Sequence, residues 1–274
     1  KVGVIGNGFV GEAISFAFSS FSDLYVFDTN PLKRLNDLES VHNCDFVFVC
    51  VPTPMLKNGS QDLSYVHKVF DNAINKPVYI LKSTVLPGTT EQLINKYQNI
   101  KIIFSPEFLT EKNSKNDVIN PSRIILGGEL NLIESTKKIF ELRFGSEKII
   151  LTDSKTAELI KYMNNTFLAT KVSIMNEYKL LCDDIGANWN DALKGFSFDK
   201  RIGYSHLNVP GHDGKLGYGG TCFPKDVNAL LSFSKKYDIK LNTIEGGWKT
   251  NLNVRPEKDW EDKLGRSVSF KKTK

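Results

Sequence analysis

Seven short apolar runs punctuate the first half of the chain, at residues 1–5, 24–27, 45–51, 78–81, 100–104, 124–126 and 148–151. Each is too short for a helix. Several run straight into Gly, Pro, Ser or Thr, the pattern of strands buried on both faces of a parallel sheet. Strand and helical stretches alternate, which predicts a Rossmann-type, doubly wound α/β domain with a parallel sheet over residues 1–152. The texture then changes. Residues 154–185 contain neither Pro nor Gly, and Leu159, Tyr162, Met163, Thr166, Phe167, Thr170 and Ile174 recur at spacings of three and four. That spacing predicts one long helix, capped by Asp153 or Ser154 and ended by Gly186. It leads into an all-α central domain over residues 153–245, with a further helix at 227–237. Residues 246–274 give no placeable pattern and form a tail.

The first strand runs directly into Gly6-Asn7-Gly8-Phe9-Val10-Gly11, followed by a helical stretch at 12–20. A strand before and a helix after are the context this glycine spacing requires. Gly6 makes the tight turn, Gly8 admits a pyrophosphate, and Gly11 lets helix and strand pack closely. The second strand ends at Asp28, whose carboxylate can accept both ribose hydroxyls of NAD and would repel the 2′-phosphate of NADP. The glycine spacing alone also suits a flavin or S-adenosylmethionine; with Asp28 added, the reading is dinucleotide binding. Lys33 can reach the same ribose, although it reads equally as a solvated helix lysine. Pro52-Thr53-Pro54 follows the third strand and puts Thr53 on a cofactor loop. Glu107 and Glu111 follow the fifth strand, four apart, as an acid–base pair or as acids at a helix N-terminus.

The second half holds a glycine-rich motif, Gly217-Tyr218-Gly219-Gly220-Thr221-Cys222-Phe223-Pro224-Lys225-Asp226. Glycines permit close backbone approach to a ligand and positive φ. Pro224 favours a helix start, which places Cys222 where the helix dipole and Lys225 would lower its thiol pKa. Lys161 and Asn165 share one face of the long helix; taken alone, Lys161 also reads as a snorkelling surface lysine. His206 and His212 sit in the polar loop at 204–215 and read as loop residues. The 274 residues are 41% hydrophobic and 24% charged, an ordinary globular composition. A net charge of +5 with one basic cluster, at 271–274, gives no indication of nucleic-acid binding. The four cysteines lack zinc spacing and suit a reducing cytoplasm. The apolar start predicts no cleavable signal, and no run of apolar residues is long enough to predict a membrane span.

Taken in order, the motifs resemble the UDP-glucose/GDP-mannose dehydrogenase family of NAD-dependent nucleotide-sugar 6-dehydrogenases. The resemblance rests on the Gly6–Gly11 motif, Val51-Pro52-Thr53-Pro54, Lys82-Ser83-Thr84, Pro106-Glu107-Phe108-Leu109 with Glu111, and Asn120-Pro121-Ser122-Arg123. It also rests on Lys161 with Asn165, Arg201-Ile202-Gly203, and residues 217–226. It implies four-electron oxidation of a C6 alcohol, most simply UDP-glucose to UDP-glucuronate for polysaccharide biosynthesis, with Cys222 as nucleophile. Lys161 and Asn165 would hold the oxyanion; Asp226, Thr84 and Glu107 would order or deprotonate water. Thr53, Thr84, Glu111 and Lys225 would touch NAD. Glu107, Phe108, Leu109, Glu111, Lys161, Asn165, Arg201 and Gly219 would bind substrate, with no metal. Arg201 would reach the neighbouring site of a homodimer. The stretch between Asp28 and Asp45 is shorter than the family's. Residues 262–270 read as the first strand of the family's nucleotide-holding third domain, so a short form lacking most of that domain is expected. Two other readings stand beside this one: a two-electron dehydrogenase of a smaller hydroxy acid or other sugar nucleotide, and a non-catalytic NAD-binding or assembly module.

Overall fold

The structure, a computed structural model, describes residues 1–110 and 114–270. Glu111 and the basic cluster at 271–274 lie outside the described residues. In chain order the elements are β1 (Val2–Ile5), α1 (Phe9–Phe18), β2 (Leu24–Phe27), α2 (Leu38–His42), β3 (Phe46–Val49), α3 (Ser64–Phe70), β4 (Val78–Leu81), α4 (Thr89–Lys96), β5 (Lys101–Phe104) and α5 (Ser114–Ile119). There follow β6 (Ile124–Gly127), α6 (Leu130–Phe144), β7 (Ile149–Thr152), α7 (Ser154–Asp184), α8 (Trp189–Ser197), α9 (Phe223–Ser234) and α10 (Asn242–Val254). The chain divides into two units, the first holding Lys1–Thr53 and Asp62–Lys161, the second Pro54–Gln61 and the chain from Tyr162 on.

In the first unit the strands lie in the order β2-β1-β3-β4-β5-β6-β7. The first five are parallel, and β6 and β7 are parallel to each other. The expected all-parallel sheet needs one correction: β6 meets β5 antiparallel, at the single pair Phe104 and Gly127. Among its described residues the link from β5 carries only the short α5, which packs on α1, rather than the longer helical crossover that usually joins parallel neighbours. Side chains alternate across the sheet. Val4, Phe48, Ile80 and Ile103 pack with Phe18 of α1 and Phe140 of α6, whereas Val47, Tyr79, Leu81 and Ile102 pack with Phe70 of α3 and Leu93 of α4. Burial on both faces explains the unbroken apolar runs. The residues that follow β1 to β5 all leave from the carboxyl edge, where ligands of open α/β sheets sit.

Helix α7 begins as its sequence predicts, with the Thr156 N–H donating to Asp153 Oδ1 at 2.8 Å. It ends in a Schellman turn: Gly186 has φ +70°, and the Ala187 N–H reaches Cys182 O at 2.9 Å. In the second unit, Ala169, Tyr218 and Val227 form one small core and Met175, Leu207 and Val209 another. Helix α10 runs across position 245/246, where Gly246-Gly247 masked the helical pattern; packing holds it, with Ser173 Oγ donating to Gly247 O at 2.7 Å. Trp248 lies 5.3 Å from the fully buried Trp260. The segment read as the first strand of another domain forms isolated bridges instead, Leu264 with Val268 and Val268 with Met55. The Met55 N–H donates to Ser267 O and the Ser269 N–H to Met55 O, both at 2.8 Å, so these backbone groups are satisfied locally.

A Cβ on Gly11 would lie 1.9 Å from Gly6 O, whereas one on Gly8 would meet nothing within 4 Å. Urea denaturation of Gly11→Ala is expected to show a loss of about 2 kcal/mol or more. Gly8→Ala is expected to stay within about 1 kcal/mol of the parent.

Candidate active site

In the first unit the glycine turn is built for a charged ligand. Gly6 has φ +91°, and a Cβ there would lie 2.8 Å from Cys50 O, so only glycine lets β1 turn beside β3. Gly8 occupies the N-cap position of α1, with no side-chain cap hydrogen bond and open space above it. Unsatisfied amides at such a helix start, with the dipole behind them, suit a phosphate. Asn7 Oδ1 is buried here without a hydrogen-bond partner. Asp28 Oδ2 accepts the Asn7 N–H at 2.7 Å and Oδ1 accepts the Asn30 N–H at 2.7 Å. A carboxylate has about four lone-pair sites, so two remain for ribose hydroxyls, and the residues present fit a dinucleotide. Lys33 donates to Glu12 at 2.7 Å and to Asn7 O at 3.3 Å, bracing the turn. Phe9 and Val10 form the first turn of α1.

The loops after β3, β4 and β5 are tied together. Thr53, buried, donates through Oγ1 to Thr84 O at 2.7 Å. Glu107 lies in irregular backbone, and its carboxylate accepts the Leu109 N–H at 2.6 Å. Lys161 of α7 donates to Glu107 O at 2.6 Å and to Glu107 Oε1 at 3.2 Å. The pair is 5% and 11% exposed at the side chains, so each charge relies on the other in a place water scarcely reaches. The Phe108 ring takes Arg123 at 4.0 Å and Lys161 at 5.4 Å over its face. A cavity of about 190 Å³ is lined here by Glu107, Phe108, Leu109 and Arg123, among others.

In the second unit Cys222 is exposed and holds the N-cap position of α9, while Cys44 and Cys182 are buried. One turn on, Asp226 is buried with a paired carboxylate: Lys225 donates to Oδ1, and Asn165 Nδ2 donates to Oδ2 at 2.6 Å. Arg201 is largely exposed and forms a fork with Asp199. His206 has φ +63° and its ring lies 5.6 Å from Phe223. No group of three His, Cys, Asp or Glu side chains able to hold a metal occurs among the described residues. No helix among them is long and apolar enough to cross a membrane.

Comparison with known proteins agrees with this layout. Residues 25–142 match the NAD binding domain of the UDP-glucose/GDP-mannose dehydrogenase family, and residues 155–253 match that family's central domain. The chain belongs to the UDP-glucose/GDP-mannose dehydrogenase family. It is 39% identical over 225 residues to UDP-glucose 6-dehydrogenase of Rickettsia bellii, covering 78% of this chain and 50% of that protein. To the Rickettsia prowazekii enzyme it is 37% identical over 243 residues, covering 85% and 55%. The chain therefore spans about half the length of these relatives. A UDP-glucose dehydrogenase from Pyrobaculum islandicum superposes with a TM-score of 0.82 at 25% identity, over 92% of this chain and 68% of that one. The 3-hydroxyisobutyrate dehydrogenase of Mycobacterium tuberculosis shares the fold, with a TM-score of 0.73 at 15% identity over 94% of both chains.

Two of the residues expected to act have hydrogen-bond partners far along the chain. Glu107 pairs with Lys161, and Asp226 with Asn165 and Lys225; Glu111 lies outside the described residues. Two buried residues carried no expected role. Lys82 donates to Pro106 O at 3.0 Å and Ser105 Oγ at 3.3 Å, and burial pushes its ammonium down to about 8. Its signal was a lysine ending a fully apolar strand. Glu158, fully buried on α7, accepts the Gly88 N–H at 2.6 Å and the Thr90 N–H and hydroxyl at 2.8 and 2.6 Å. It thereby caps α4 and fixes the end of the loop that begins at Thr84.

Burial pushes the Glu158 carboxyl up from 4.5 to about 7, against the hydrogen bonds that favour its ionised form. A raised folded pKa means that the protein binds the proton more tightly folded than unfolded. Its contribution is therefore full below about pH 4.5 and is lost as pH rises through about 7, by on the order of 3 kcal/mol. Urea titrations of the parent against Glu158→Gln between those pH values should show the parent losing stability relative to the variant as pH rises.

Proposed function

We propose that the chain carries NAD-dependent, four-electron oxidation of the C6 alcohol of a nucleotide sugar, UDP-glucose to UDP-glucuronate, with Cys222 as covalent nucleophile. The observation that carries this reading is the exposed Cys222 thiol at the start of α9, one turn from a buried, doubly partnered Asp226. The similarity to UDP-glucose 6-dehydrogenases supports the substrate class.

Gly6, Gly8, Gly11 and Asp28 hold the dinucleotide by its pyrophosphate and ribose, with Phe9, Val10, Lys33, Thr53, Thr84 and Lys225 around it. NAD, when bound, would supply the hydride acceptor for each oxidation step, one molecule per step, with NADH exchanged for NAD+ in the same pocket between them. The chain's residues do the rest. The alcohol loses hydride and becomes the aldehyde as its C6 hydroxyl proton leaves to water, which Asp226, Thr84 and Glu107 order or deprotonate. The Cys222 sulfur then adds to the aldehyde carbon, and the resulting alkoxide, held by the Lys161 ammonium and the Asn165 amide, expels the second hydride to leave a thioester. Water adds to the thioester carbonyl, its proton going to a carboxylate, and the C–S bond breaks to return the thiolate with the sugar acid. Cysteine is needed because a bare aldehyde has no adjacent alkoxide to drive hydride out.

A homodimer accompanies this reading, with Arg201 reaching the neighbouring site. Within the second unit Met163, Phe167, Ile174, Tyr178, Leu181 and Ile185 lie along one face of α7 and are 40–69% exposed. Such an apolar stripe suits a second copy of the chain. Phe167→Glu is expected to shift the protein to a monomer in size-exclusion chromatography. The cytoplasm, with its reducing conditions, is the setting in which the Cys222 thiol stays reduced.

A two-electron dehydrogenase of a smaller hydroxy acid shares the fold, but leaves Cys222 without a role. Stoichiometry separates the two. NADH counted against product from a panel of nucleotide sugars should give two per sugar acid, and Cys222→Ser should lower turnover by about a thousandfold or more. One NADH per released aldehyde or ketone would overturn the covalent route.

A further inference from the structure

The glycine motif that leads to Cys222 has almost no regular backbone pairing of its own; side chains supply it. The Gly217 N–H donates to Asn176 Oδ1 at 3.0 Å. The Tyr218 N–H donates to Asn251 Oδ1 at 2.7 Å, and Asn251 Nδ2 returns a bond to Tyr218 O at 3.0 Å. The Gly220 N–H points to Asp259 Oδ2 at 3.4 Å. Leu216 O accepts from Arg255 Nη1 at 3.2 Å. Asn251 and Arg255 are 0% and 2% exposed, and Arg255 is fixed by Asp213 at 2.6 Å and Asp259 at 2.7 Å. A buried backbone group left unpaired costs about 1–3 kcal/mol, so this set of bonds defines where the loop can lie.

The glycines answer the same residues. A Cβ on Gly217, which has φ +66°, would lie 2.4 Å from Asn251 Oδ1. One on Gly219 would lie 2.3 Å from Asp259 Oδ1 and 2.6 Å from Arg255 Nη2. Only a chain without side chains at these points can lie against the Asn251–Asp259 segment. We propose that Asn251, Arg255 and Asp259 are positioning residues for Cys222. They set the path of residues 216–220, and through Thr221 the place and direction of the thiol at the start of α9. The stretch after residue 245, which the sequence leaves as a tail, forms the floor of the nucleophile's loop.

The proposal rests on Cys222 being the nucleophile, and its test needs no substrate. Iodoacetamide on the native chain reads Cys222, since it is exposed, Cys44 and Cys182 are buried, and burial pushes the Cys50 thiol up to about 12. In Asn251→Ala the alkylation rate of Cys222 is expected to change by about fivefold or more, with NAD affinity within about twofold of the parent. NADH formation from a nucleotide sugar should fall by about tenfold or more in kcat, with the KM for NAD unmoved. Asp259→Asn keeps an acceptor for the Gly220 N–H and should lie between parent and Asn251→Ala; it decides the matter if Asn251→Ala fails to fold. An unchanged Cys222 rate in the folded variant overturns the proposal. So does an equal rise at Cys44 and Cys182, which would mark a general loosening. A shifted Cys222 rate with no NADH from any nucleotide sugar keeps this proposal and sinks the function above it.

Discussion

A charge or backbone dipole taken out of water must find a partner, and one helix meets that demand in both units. On α7, Glu158 accepts three donors from Gly88 and Thr90, and Lys161 neutralises Glu107. Farther along, Asn165 donates to Asp226 and Asn176 accepts from Gly217. Each of these contacts lies within its own unit, and each ends on a loop that carries a candidate catalytic group or the way to one. Removing one side of such a pair strands the other in low dielectric, at a cost of several kcal/mol in typical cases. The helix is thus more than a connector: its polar face dictates where the loops settle.

The sheet supplies the complementary constraint. Five parallel strands buried on both faces deliver Gly6, Asp28, Thr53, Thr84 and Glu107 to one edge. Thr53 bonded to Thr84 O, and Lys82 bonded to Pro106 O, stitch successive loops so that the edge behaves as one surface. The antiparallel meeting of β5 and β6 leaves the first five strands undisturbed, since the reversal comes after the last loop that contributes to the edge.

Much of this was legible in residue order. Buried parallel strands announce themselves as apolar runs, the long helix by its spacing and caps, and the dinucleotide turn by glycines flanked by a strand and a helix. The misread parts have physical causes. Gly246-Gly247 lowers helix propensity, and α10 exists because tertiary packing outweighs that loss, which no local pattern reports. The family resemblance implies a first strand over residues 262–270, yet these pair at isolated bridges, Val268 with Met55 and Leu264 with Val268. The partners of Glu107 and Asp226 lie far off in the chain, because a buried side chain bonds to whatever the fold brings near.

By itself the sequence determined the chemistry on offer: a glycine turn between a strand and a helix, an aspartate at the end of the second strand, and a cysteine at a helix start. These follow from short-range rules, in which φ, caps and periodicity depend on neighbours in the chain. Only the tertiary structure decided which side chains serve as partners. Glu107 with Lys161, Asp226 with Asn165, and Tyr218 with Asn251 join residues far apart in the chain. Electrostatic and hydrogen-bond satisfaction acts across space, and sequence separation carries no record of it.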